Sequence, residues 1–257
     1  MVTATLSKIG RRIADAFRRH TVFLRLWCWI AAAAATLPYI WLRGIADDTG
    51  MPREQGALRL DRLIGLGTTP TERLQGWFYS GSAQPFDWAM GLVHLSWFIL
   101  PEAATLYVLV FRLGLFPQLA ALRLGVLYAG LIGFFLLPTE PPWMAAHVVR
   151  ILQVVNGEPL KVDTNALAAL PSLHVAIPAA LAMWLWRVRL PRWALLFTVF
   201  AAAMIFALVY LGEHYLVDAL AGLVLAYLVM RLVVRFVPSR ARPMSAEATR
   251  SEGGAAR

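Results

Sequence analysis

Residues 193–230 read WALLFTVFAAAMIFALVYLGEHYLVDALAGLVLAYLVM, and this stretch decides the fold. Trp193 to Leu211 is apolar apart from Thr198 and carries no charge. After Gly212-Glu213-His214 a second apolar run goes from Tyr215 to Met230 and holds one charge, Asp218. A helix that crosses a bilayer needs about 20 predominantly apolar residues. The stretch therefore predicts two spanning helices joined by a short polar corner. The rest of the chain agrees: 59% of its 257 residues are hydrophobic and 15% are charged. A soluble domain carries about 25% charged residues. Water cannot solvate so much apolar surface, and the expected solvent is the bilayer.

Working outward, four more runs fit a span: Val22 to Leu42, Phe86 to Phe111, Gln118 to Leu137 and Ser172 to Trp186, the last short and containing Pro178. The predicted fold class is all-α, a polytopic membrane bundle of six transmembrane helices. The first run continues past its alanines to Tyr39, Ile40 and Trp41, which favours a retained span over a cleaved signal peptide. Between the first two runs, Leu60, Leu63, Ile64 and Leu74 have helix-like spacing, and Trp77, Phe78 and Tyr79 follow. That segment predicts an interfacial amphipathic helix, or two, with aromatic anchors. The expected division is a basic N-terminus over 1–21, a membrane domain over 22–237, and a tail over 238–257 whose composition predicts disorder.

The net charge of +9 would suggest nucleic acid in a soluble protein. Here the basic residues stand at the ends of apolar runs, which argues for orientation in a membrane and against a nucleic-acid partner. Lys8, Arg11, Arg12, Arg18 and Arg19 precede the first run. Arg112 and Arg123 flank the second loop, Arg187, Arg189 and Arg192 fill the fourth, and Arg231, Arg235, Arg240 and Arg242 follow the last span. All fall on one side, predicted cytoplasmic with both termini. Segments 43–85 and 138–170 then face outward. The scarcity of lysine hints at a GC-rich bacterial genome, and so at an inner cell membrane. The single Cys28 allows no intrachain disulfide and suggests no thiolate metal cluster. No nucleotide or redox motif is present, and neither a cofactor nor a metal is expected.

Two short motifs carry chemistry: Pro171-Ser172-Leu173-His174 and His214-Tyr215-Leu216-Val217-Asp218. The topology sets both histidines at the outer ends of inward-running helices. His214 and Asp218, as i and i+4, are expected to share a helix face. A carboxylate there can fix the tautomer of the imidazole and leave its other nitrogen as a nucleophile; it can equally tie two helices together. Pro171 and Ser172 suit a helix start. The free N–H groups of that start, with the Ser172 hydroxyl, can receive a phosphate, and His174 is placed to protonate a leaving oxygen. A histidine facing lipid headgroups is the plainer alternative.

These motifs resemble the second and third signatures of the type 2 phosphatidic acid phosphatase superfamily. Leu60-Asp61-Arg62-Leu63-Ile64-Gly65, the loop Pro138-Thr139-Glu140-Pro141-Pro142-Trp143-Met144, and Tyr210-Leu211-Gly212-Glu213-His214-Tyr215 resemble its inositol-phosphorylceramide-synthase-like branch, over roughly residues 58–235. The resemblance implies that His214 attacks phosphorus, Asp218 orients it, and His174 protonates the leaving group. It also brings Thr139 and Tyr210 in as substrate-binding candidates beside Ser172. The phosphatase pattern has a Lys, an Arg before a Pro, and a second Arg; here Gly130, Leu137 and Leu208 take those positions. Arg150 and Lys161, the cations of the 138–170 loop, are the nominated replacements. The implied partners are a membrane lipid phosphate or phosphodiester and an alcohol, such as inositol or a sugar, or water. A lipid-binding or transport protein on the same fold, using Glu102 and Asp218, is the competing reading.

Overall fold

The computed structural model describes residues 19–46, 55–157 and 167–238, and every element among them is helical. In chain order these are α1 (Arg19–Ile45), α2 (Gly56–Ile64), α3 (Pro70–Phe78), α4 (Pro85–Ser96) and α5 (Leu100–Phe111). A 3-10 turn, Leu113–Leu115, leads into α6 (Phe116–Leu136). Then come the short α7 (Pro142–Ala145) and α8 (Ile151–Asn156), followed by α9 (Leu173–Arg187), α10 (Pro191–Leu211) and α11 (Leu216–Phe236). Five segments are long and apolar enough to cross a membrane: Val22–Ile45, Pro85–Phe111, Leu113–Leu136, Pro191–Leu211 and Leu216–Phe236. The chain is an integral membrane helix bundle, with the shorter apolar α9 as its sixth long-axis element.

Two expected spans differ in detail. The second is two helices, α4 and α5, with a break at Trp97–Ile99. Pro101, in the first turn of α5, has no N–H to carry an α-helical ladder across that break. The last span runs on to Phe236 rather than stopping at Met230. Arg231 and Arg235 lie within its final turns, where a helix C-terminus favours cations and long basic stems can reach toward a headgroup layer.

The short α9 sits at the centre, which its composition explains. Ala176, Ala179, Ala180 and Ala182 are all buried, and small residues let membrane helices approach closely. Gly222 of α11 packs onto the start of α9 so tightly that an added Cβ would lie 2.5 Å from the Ser172 carbonyl oxygen. Gly130 and Gly133 of α6 are equally close to Leu173 and Pro171. At the other end of α9, buried Trp184 donates its ring N–H to Gln118, at 2.8 Å. The outermost span, α1, rests on α6, where the Tyr128 hydroxyl donates to the Ala35 carbonyl at 2.6 Å. Glu102 pairs with Arg123, tying α5 to α6, and Thr105 accepts from the same guanidinium at 2.8 Å. Its role here is that of a helix tie.

The interfacial segment forms two helices. α3 begins with a reciprocal cap: Thr69 Oγ1 accepts from the Glu72 N–H, and Glu72 accepts from the Thr69 N–H. In α2 the apolar residues Leu60, Leu63 and Ile64 are exposed, while Asp61 is fully buried. The inward side of this helix therefore carries a carboxylate, which is used at the site.

Candidate active site

Helix starts and ends gather at one end of the bundle. α11 starts at the N-cap Tyr215, so His214 lies just before the helix and not on its face. This corrects the expectation that His214 and Asp218 share a helix face. They meet because Asp218 turns back toward its own N-cap: its Oδ2 accepts from the Tyr215 N–H at 2.9 Å and stands 3.5 Å from His214 Nδ1. Asp61 completes this end from a distant part of the chain. Its carboxylate accepts from the N–H groups of Leu216, at 3.2 Å, and Val217, at 2.9 Å. Burial pushes the Asp61 carboxyl up to about 6, against these two hydrogen bonds and with the charge of Asp218 adding to the rise.

The two motifs are bonded to each other. The Ser172 N–H donates to the Asp218 carbonyl at 3.0 Å, joining the N-cap of α9 to the first turn of α11. His174, the second residue of α9, then faces His214, with 3.3 Å between His174 Nδ1 and His214 Nε2. His214 thus directs one ring nitrogen toward Asp218 and the other toward His174.

Both histidines line a cavity of about 510 Å³. One wall is apolar and comes from α4 and the break after it: Trp88, Leu92, Leu95, Trp97 and Phe98. Trp88, Leu92, Leu95 and Phe98 are also exposed on the outside of the bundle, so this wall borders the membrane side. His94 packs against His174 at 5.0 Å between ring centroids, and Trp97 does so at 4.6 Å, both with tilted rings. Arg150 and Glu213 form a two-pronged ion pair at the cavity, 2.8 Å from Nε to Oε1 and 3.0 Å from Nη2 to Oε2. The Arg150 guanidinium also lies 4.4 Å over the Trp143 ring. Tyr39 and Arg43 reach the cavity from the end of α1. Among the described residues, no group of three His, Cys, Asp or Glu is arranged to hold a metal ion.

Of the candidates from sequence, His214, His174 and Arg150 line the cavity, and Asp218 stands behind His214. Ser172, Thr139 and Tyr210 are fully buried and are not lining residues. The Ser172 hydroxyl has no hydrogen-bond partner. Thr139 donates to the Leu137 carbonyl at 2.8 Å and pairs its backbone with Ala168 and Leu167. The Tyr210 hydroxyl donates to Asp87 of α4. Lys161 lies outside the described residues.

The sequence reading passed over Glu213 and Arg43 and gave Asp61 no role. Glu213 had a signal, being the acid next to His214. Asp61 had a weaker one, a charge set among leucines.

Comparison with known proteins adds one finding. The model of the PAP2 superfamily matches residues 56–232, the stretch from α2 to the last turns of α11. No curated protein and no solved structure matches the chain.

Proposed function

The chain belongs to the PAP2 superfamily, and from that premise we propose that it is a membrane-embedded lipid phosphotransferase or phosphatase working through a phosphohistidine. The observation that carries this reading is the orientation of His214 between Asp218 and His174. In this mechanism Asp218 holds a proton on His214 Nδ1, which leaves a lone pair on Nε2. Nε2 attacks phosphorus as the bond to the leaving oxygen breaks, and His174 gives that oxygen its proton. The incoming phosphoryl group displaces the contact between the two rings. In the second half-reaction an alcohol or water loses its proton to His174 and attacks phosphorus, which frees Nε2.

The substrate is a lipid phosphate or phosphodiester. Its chains lie along the apolar α4 wall, and its headgroup lies toward the histidines. The acceptor is an alcohol such as inositol or a sugar, as in the inositol-phosphorylceramide-synthase-like branch, or water. Supporting the transferase side, Gly130 and Leu208, at positions where the phosphatase pattern has cations, are packed in the core with no charge to offer. The active site faces the exterior of a bacterial inner membrane, with both termini in the cytoplasm. Arg187, Arg189, Arg192, Arg231 and Arg235 cluster at the end of the bundle opposite the histidines, which supports that orientation.

The test is to incubate the purified protein with phosphatidic acid, a polyprenyl phosphate or an inositol phospholipid, with and without inositol. A phosphate adduct that is labile to acid and stable to base, on wild type and absent from His214→Ala, is the expected result. Turnover without any such adduct under rapid quenching would remove the phosphohistidine.

A further inference from the structure

A phosphoryl group in transfer carries negative charge that the site must offset. The charged residues lining the cavity are Arg43, Arg150 and Glu213. Arg150 and Glu213 cancel in their two-pronged pair, and Trp143 covers a face of the guanidinium. The other cation of the described wall is Arg43, in the last turn of α1. Tyr39, one turn earlier, lines the same cavity, so the end of α1 forms part of its wall. Arg43 also stands within electrostatic reach of His174.

We propose that Arg43 is the residue that binds the phosphoryl oxygens of the lipid phosphate. This rests on the reading of the cavity as a lipid-phosphate site and names the cation that serves it. An arginine has five N–H donors in a planar fork that matches phosphate oxygens in pairs, so it can hold a protein partner and a phosphate together. The helix that carries it lies before the family-matched stretch, so α1 is part of the site and not only a membrane anchor.

The experiment measures binding without turnover. The full chain carrying His214→Ala, in detergent, is titrated with phosphatidic acid and with diacylglycerol of the same acyl chains, by native mass spectrometry. Adding Arg43→Gln should weaken phosphatidic acid about ten- to a hundredfold and leave diacylglycerol unchanged. Inorganic phosphate should compete with phosphatidic acid in the parent and not in the Arg43→Gln protein. Should the glutamine variant fail to fold, Arg43→Lys keeps the charge. It should bind phosphatidic acid several-fold more weakly, because an ammonium cannot give two parallel hydrogen bonds. If the parent favours phosphatidic acid and the Arg43 variants favour it equally, the assignment of Arg43 is overturned while the lipid-phosphate reading stands. If the parent does not favour phosphatidic acid over diacylglycerol, that reading falls, and Arg43 with it.

Discussion

His174 Nδ1 and His214 Nε2 lie 3.3 Å apart, and only His214 has a carboxylate behind its other nitrogen. That asymmetry predicts different consequences for the two alanine variants. His214→Ala should lose both turnover and phosphoenzyme. His174→Ala should slow reaction with a lipid alcohol leaving group and recover much of the rate with an activated one, which needs less protonation. Asp218→Asn should cost roughly 10²–10⁴ in rate. Phosphoenzyme yield decides the matter. A normal yield from His214→Ala beside none from His174→Ala would reverse the roles.

Asp61 gives a pH dependence of stability. Its carboxyl titrates near 6 in the folded protein, against an ordinary 3.8. The folded state then holds the proton more tightly than the unfolded state. The stability this provides is complete below the ordinary value and is lost as pH rises through 6. Unfolding in detergent should show a loss on the order of 2 kcal/mol between pH 4 and pH 7 from this group. Asp61→Asn should flatten that slope. A slope unchanged in the variant would mean that another group carries it.

The membrane class and the two motifs were legible in sequence because both are local. Apolar length marks a span, and the residue types around His174 and His214 mark chemistry. What stayed hidden depends on chain segments far apart. Asp61 caps a helix that begins 155 residues later, and no spacing rule connects them. Gln75 of α3 bonds the Val149 and Tyr210 carbonyls for the same kind of reason. Arg150 was legible as a cation but not as the partner of Glu213, because the ion pair forms only once the loop folds over α10. The break in the second span was also missed: the apolar run continues through Trp97–Ile99, and only Pro101 marked it.

Arg150 and Glu213 are largely buried together, so a single change should cost more than a double one. Glu213→Gln removes the carboxylate that the guanidinium grips with two hydrogen bonds and should destabilise by on the order of 3 kcal/mol. Arg150→Met combined with Glu213→Leu removes both charges and should recover most of that loss. Thermal unfolding of the three proteins in one detergent is the measurement. A double variant less stable than the single one would show that the pair contributes more than mutual neutralisation.

Ser80 lies in the exposed turn before α4 at the histidine end, and Leu190 lies between α9 and α10 at the opposite end. With Cys28 replaced, Ser80→Cys in intact cells should react with an impermeant thiol reagent. Leu190→Cys should react only after the membrane is opened. The reverse pattern would place the histidines in the cytoplasm.

Gly222 sets the distance between the two motifs. An added Cβ would meet the Ser172 carbonyl oxygen at 2.5 Å and the Ala176 nitrogen at 3.4 Å. Both are backbone atoms, so no side chain can turn aside to make room. Gly222→Ala must instead push α11 away from the start of α9. That movement strains the Ser172 to Asp218 hydrogen bond and widens the gap between His174 and His214. Stability should fall by about 1–3 kcal/mol. The rate should fall by more than that loss alone implies, because the reacting groups need near-contact geometry. Gly76→Ala is the matched control, since nothing lies within 4 Å of its added Cβ; it should leave turnover unchanged and raise stability slightly, as an alanine in a helix does. Turnover per folded molecule, measured for the two variants at a temperature where both are folded, separates the effects. Normal turnover in folded Gly222→Ala would show that the close helix crossing holds the bundle together without setting the geometry of the histidines.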